Sequence, residues 1–94
     1  IIYIMKINKG FQLRDICGEK VIIAEGLENM NFSKLISLNE SAAYIWEAIS
    51  KMQSFDTNAM AKLLLDEYDV TEDEALTDAN NLLTEWKAQG LIED

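Results

Sequence analysis

The chain has no histidine, no proline and a single cysteine, Cys17, and each scarcity closes off a kind of chemistry. Without histidine the commonest general base and metal ligand are missing. A lone thiol makes no internal disulfide and builds no cysteine-rich zinc or iron–sulfur site. It suits a reducing compartment, so a cytoplasmic location is expected. Gly10, Gly18, Gly26 and Gly90 stand singly at turn positions, which leaves no glycine-rich phosphate loop. No apolar run approaches the roughly 20 residues that a bilayer-spanning helix needs. Ile1-Ile-Tyr-Ile4 is apolar but lacks a basic flank, so it does not read as a signal peptide. Met5-Lys6 reads as a natural start, with residues 1–4 an upstream remnant.

What remains is ordinary globular composition in 94 residues. That length suits one domain over residues 1–94, burying roughly 60–65% of the surface of its unfolded chain. Charge is uneven along it. Residues 1–39 hold five bases and four acids, whereas residues 40–94 hold three bases and thirteen acids. Most of these acids read as a solvated face. An acidic half repels phosphate, disfavours nucleic acid and could attract a basic peptide.

Phe11-Gln-Leu-Arg-Asp-Ile16 alternates apolar and polar residues, as a half-buried strand does. Cys17-Gly18-Glu19 is a turn signal, and Lys20 to Ala24 is a second, β-branched strand, so the pair reads as a hairpin. Glu25 to Ser33 reads as a loop, and Lys34 to Leu38 as a third strand. Asn39 then caps a first helix, whose apolar face is Ala42, Ile45, Trp46, Ile49 and Met52. A second helix starts at Asp56 and turns Met60, Leu63, Leu64 and Tyr68 inward. The third opens on Thr71-Glu-Asp-Glu74, a capping-box pattern, and buries Ala75, Leu76, Ala79, Leu82, Leu83 and Trp86. Gly90 ends it, and Leu91-Ile92 folds back as an apolar tail. The expected fold is α+β: an N-terminal three-stranded antiparallel sheet followed by a three-helix bundle.

Nothing in this layout reads as catalytic. Asp66/Glu67 and Glu72/Asp73/Glu74 fall on predicted helix surfaces, and Cys17 sits in a turn without a base beside it. No catalytic residue, metal site or cofactor is expected, and the chain does not read as an enzyme.

Four stretches together resemble the PqqD family, coenzyme PQQ synthesis protein D. They are Gly10-Phe-Gln-Leu-Arg14, Leu38-Asn-Glu-Ser-Ala-Ala-Tyr-Ile-Trp-Glu47, Leu64-Leu-Asp-Glu-Tyr-Asp-Val70 and Leu82-Leu-Thr-Glu-Trp-Lys-Ala-Gln-Gly-Leu-Ile92. The resemblance covers roughly residues 6–92 and is specific in the order and spacing of these stretches. It implies a winged-helix-like peptide chaperone that binds the leader of a ribosomally made precursor and presents it to a modifying enzyme. In the family that enzyme is often of the radical S-adenosylmethionine type. The resemblance also implies that the leader adds as a strand between the third strand and the third helix. Carried onto this chain, the groove is lined by Lys34, Leu35, Ile36 and Ser37 and by Asp78, Asn81, Leu82 and Glu85. Trp86 belongs either to the core or to the groove floor. Asp78 and Glu85 are then expected to favour a basic leader. Neither nucleic acid nor membrane is an expected partner, and a monomer or weak homodimer is.

Three alternatives compete. A winged-helix DNA-binding regulator needs a basic recognition helix, yet helix 72–89 has Lys87 as its only base against five acids. An acidic carrier protein needs an Asp-Ser-Leu turn for its prosthetic arm, whereas Ser37-Leu38 follows Ile36 in a strand. An acidic protein-interaction adaptor without leader binding differs only in its partner.

Overall fold

The computed structural model describes residues 4–8, 10–24 and 35–93. Strands β1 (Lys6–Ile7), β2 (Phe11–Ile16), β3 (Glu19–Ala24) and β4 (Leu35–Leu38) come first. Helices α1 (Glu40–Ser50), α2 (Thr57–Glu67) and α3 (Glu72–Ala88) follow, and then β5 (Ile92–Glu93). This is the expected α+β order, sheet before helices. The expected loop at 25–33 and the start of the third strand at Lys34 lie outside the described residues.

Strands β2, β3 and β4 form one antiparallel sheet in that order. The β2–β3 hairpin is tighter than the sequence suggests. Ile16 pairs with Glu19, leaving only Cys17 and Gly18 in the turn. Both have positive φ, 53° and 84°, as a two-residue turn matched to the strand twist requires. The Asp15 carboxylate braces it by accepting from the Gly18 N–H at 3.2 Å and pairing with Lys20 at 3.1 Å.

Register decides which sheet face meets the helices. Leu13, Ile22 and Ile36 lie side by side across the three strands. Ile22 is buried in the core, and Leu13, Ile36 and Leu38 pack against it. Side chains alternate across a strand, so Ser37 falls on the opposite, outer face, where it is exposed.

Each helix starts at the residue whose side chain can satisfy its free N–H groups. Asn39 Oδ1 accepts from the Ala42 N–H at 2.8 Å, and Asp56 Oδ1 from the Ala59 N–H at 2.7 Å. Thr71 and Glu74 form the full reciprocal capping box. α3 ends where Gly90, at φ 76°, lets the chain reverse. The Gly90 N–H then reaches the Lys87 carbonyl at 3.0 Å and the Leu91 N–H the Trp86 carbonyl at 2.9 Å. That double bond pattern is a Schellman motif.

The largest fully buried side chains are Trp46, Trp86, Ile22, Ile45, Ile49, Met60 and Leu91. Two expected core positions are exposed instead. α1 stops at Ser50, so Met52 leaves the helical stripe and is 40% exposed. Leu76 is 37% exposed because the buried face of α3 runs through Ala75, Ala79, Leu83 and Trp86. The tail folds back as a strand. β5 pairs antiparallel with β1, an element absent from the sequence reading, and the Asn8 side chain donates to the Gly90 carbonyl at 2.8 Å.

Candidate functional site

Among the described residues β4 pairs with β3 on one side only, which makes it an edge of the three-stranded sheet. In an antiparallel ladder alternate residues direct both N–H and C=O toward the partner strand, and the others direct both away. Two of the four residues 35–38 therefore point their backbone polar groups outward. Such an edge is a template for a further strand.

At Asn39 the chain leaves this edge and enters α1, and a groove opens there. Its near half, about 190 Å³, is lined by Asn39, Ser41, Leu64, Asp78, Asn81 and Leu82. Its far half, about 370 Å³, keeps Asn39, Ser41, Leu64 and Asp78 and adds Glu40, Tyr68 and Val70. The two halves adjoin, with the four shared residues lining both. On the sheet side, Asn39 and Glu40 also wall a hollow of about 430 Å³ that reaches Ser37, Leu38 and the hairpin turn. The wall at Asn39 is held firmly, since its Oδ1 also accepts from the Ser41 hydroxyl at 3.1 Å.

The groove is acidic, and its far half is also apolar, through Leu64, Tyr68 and Val70. Glu40 and Asp78 line it, and among the described residues no basic one does. Burial raises the Tyr68 phenol above its usual pKa, and the Glu40 carboxylate, then Glu67 and Tyr44, push it the same way. Tyr68 is held edge-on to Tyr44, ring centroids 6.1 Å apart.

The structure brings some of the expected site residues together and leaves others apart. Asp78, Asn81 and Leu82 line one groove wall, with Leu82 half-buried against the core. Glu85 is exposed on α3 but absent from the lining. Leu35, Ile36 and Ser37 form the edge strand. Lys34 lies outside the described residues. Trp86 is fully buried and lines none of these hollows, so it is core. Glu40, Ser41, Leu64, Tyr68 and Val70 are the walls that sequence reasoning missed. The signal was there: a cap at Asn39 puts residues 40 and 41 at the mouth, and Leu64 and Tyr68 share a helical face four residues apart.

The opposite edge strand, β2, borders a second hollow of about 360 Å³ lined by Phe11, Leu13, Trp46, Glu47 and Lys51, among others. The exposed face of α3 carries Glu72, Asp73, Glu74, Asp78 and Glu85, an arrangement that repels a phosphate backbone. Among the described residues no group of three or more metal-ligating side chains comes together, and no helix is long and apolar enough to cross a membrane.

Residues 19–92 match the family model for coenzyme PQQ synthesis protein D, PqqD. The chain belongs to this family. The match takes in β3, β4, all three helices and the whole groove. No curated protein matches this PqqD-family chain. In fold it is similar to a solved structure described as lasso peptide synthetase B1 complexed with the leader peptide. That likeness has a TM-score of 0.73 at 19% identity and covers 96% of this chain and 98% of the other.

Proposed function

We propose that this PqqD-family chain binds the leader of a ribosomally made precursor peptide and presents it to a modifying enzyme. The leader adds antiparallel to β4 and lays alternate side chains into the groove along Asp78, Asn81 and Leu82. Main-chain hydrogen bonds supply affinity, and the pockets supply selectivity. Leu35, Ile36 and Ser37 take part through their backbone, together with Lys34, and Glu85 lies where the leader leaves the groove. One observation carries this reading: the edge strand leads into Asn39, and Asn39, Ser41, Leu64 and Asp78 line both parts of an acid-walled groove that reaches from Leu82 to Val70. The domain itself performs no chemistry here and acts in the cytoplasm. The precursor is that of coenzyme PQQ or of another modified peptide, and the enzyme is of the radical S-adenosylmethionine type or another.

The test is an NMR titration with a synthetic leader of the precursor peptide encoded nearest its gene. Amide shifts are expected in residues 35–38 and 78–86. Shifts confined to 11–14 and 46–51 would move the interface to the β2 edge and favour a protein-interaction adaptor.

A further inference from the structure

The groove continues beyond the edge strand that leads to it, since its lining begins at Asn39. Its far half lies past the end of β4, between the first turn of α1 and the middle of α3. Two carboxylates line it from different helices, Glu40 on α1 and Asp78 on α3, and Leu64 and Val70 add apolar surface to the same lining. Among the described residues neither carboxylate has a cation at ion-pair distance. Glu40 is also the strongest charged influence on the Tyr68 phenol, which lines the same far half.

Strand direction fixes what reaches this place. β4 runs from Leu35 to Leu38 and on to Asn39. A peptide antiparallel to it leaves the sheet at the Leu38 end by its own N-terminal side. The residues that cross the far half are therefore those just before the paired segment. Building on the leader-binding reading above, we propose that the far half is a specificity subsite for a lysine or arginine N-terminal to the strand-forming segment. Its charged head sits between Glu40 and Asp78. A long basic side chain suits both features, since its methylene stem covers apolar surface while its head stays near water. The two carboxylates are exposed at the rim, so each contributes modestly, about two- to five-fold in affinity at low salt and less at high salt.

A random-peptide display library, selected on the protein and on the double variant Glu40→Gln/Asp78→Asn, tests this. Asp66→Asn/Glu72→Gln removes the same charge outside the groove and serves as the control. Peptides recovered on the parent are expected to pair apolar anchors with Lys or Arg on their N-terminal side. That bias should vanish on the groove variant and persist on the control. A recovered peptide should bind the groove variant several-fold more weakly at low salt. Apolar anchors without a positional basic bias, or a bias that survives the groove variant, would overturn the subsite and leave leader binding standing. Recovery of no extended motif at all would overturn both.

Discussion

Trp46 and Trp86 meet edge to face, their ring centroids 5.2 Å apart and their planes at 88°. The contact joins α1 to α3, the two helices whose outer surfaces wall the groove. Both rings are buried, at 2% and 0% exposure. Trp46→Ala is expected to cost about 3–5 kcal/mol. The pair should show a coupling of about 0.5–1.5 kcal/mol in a double-mutant cycle. Trp86 Nε1 finds no acceptor among the described residues, and a buried unpaired donor is itself destabilising by about 1–3 kcal/mol. Trp86→Phe removes that donor along with some apolar area, so its loss should be clearly smaller than that of Trp46→Ala. Denaturant midpoints decide the matter. A Trp46→Ala protein that unfolds with the parent would show that the contact bears no weight.

Leu91 is fully buried one residue past the Schellman glycine, and Ile92 beside it pairs with Ile7 of β1. The two-stranded β1–β5 sheet is therefore a clasp between the ends of the described fold. Leu91→Ala should destabilise by about 2–5 kcal/mol and speed hydrogen exchange at Asn8, whose N–H donates to the Leu91 carbonyl at 2.9 Å. Unchanged exchange at Asn8 would mean that β1 is held by Met5–Phe55 pairing alone.

The sequence was most readable where local chemistry and packing agree. Asn39, Asp56 and Thr71 are polar residues ahead of apolar stripes, and all three cap helices as expected. The β2–β3 hairpin follows from alternation plus a turn glycine. β1 and β5 were hidden because two residues carry no period, and their pairing spans nearly the whole chain. Leu76 misled because leucine favours both a core and an exposed helix position. On the groove, family resemblance pointed to Asp78, Asn81 and Leu82 of α3, which line it, and to Glu85, which does not. Glu40, Tyr68 and Val70 were not legible, because a groove wall is a property of three helices meeting and no single periodicity reports it.

Within the capping box the Thr71 N–H donates to Glu74 Oε1 at 3.0 Å, and the Glu74 N–H to Thr71 Oγ1 at 3.1 Å. The Thr71 backbone N–H, and after it the Thr71 hydroxyl, hold the Glu74 carboxyl below its ordinary pKa of 4.5, against a smaller opposing effect of burial. A depressed folded pKa means stability that is present above the unfolded value and lost as pH falls through the folded one. Glu74→Gln should therefore flatten the acid limb of the stability curve below about pH 4.5. Thr71→Ala should cost about 1 kcal/mol near neutrality. It should only partly restore the Glu74 pKa, since the backbone donor at position 71 remains. An acid limb identical in parent and Glu74→Gln protein would contradict the box.

The Tyr68 phenol is raised, so the sign at the alkaline end is the reverse. Its contribution to stability is complete below the unfolded tyrosine pKa and is lost as pH rises through the folded value. Removing the Glu40 charge with Glu40→Gln should lower the Tyr68 pKa toward normal without abolishing the shift, because burial is the larger cause. NMR titration of the Tyr68 ring resonances measures this. An unmoved Tyr68 pKa would place the Glu40 carboxylate away from the groove's aromatic wall.

Strand addition to β4 makes a prediction that depends on backbone alone. Pairing with β3 runs Ile23 to Leu35, Ile22 to Ile36, Val21 to Ser37 and Lys20 to Leu38. Because antiparallel residues alternate between inward and outward bonding, one alternate pair, 35 and 37 or 36 and 38, should exchange its amide hydrogens fast in the free protein. The other pair should already be protected. An added leader strand bonds only to the outward pair, so protection should rise at alternate residues and stay level at the two between them. A peptide held by side chains alone would slow all four amides slightly and without period. Substituting Ser37, which is exposed on the outer face, should leave binding nearly unchanged, because a backbone ladder reads no side chain there. Loss of binding in Ser37→Ala with the exchange pattern intact would show that recognition runs through the strand's outer face rather than its edge.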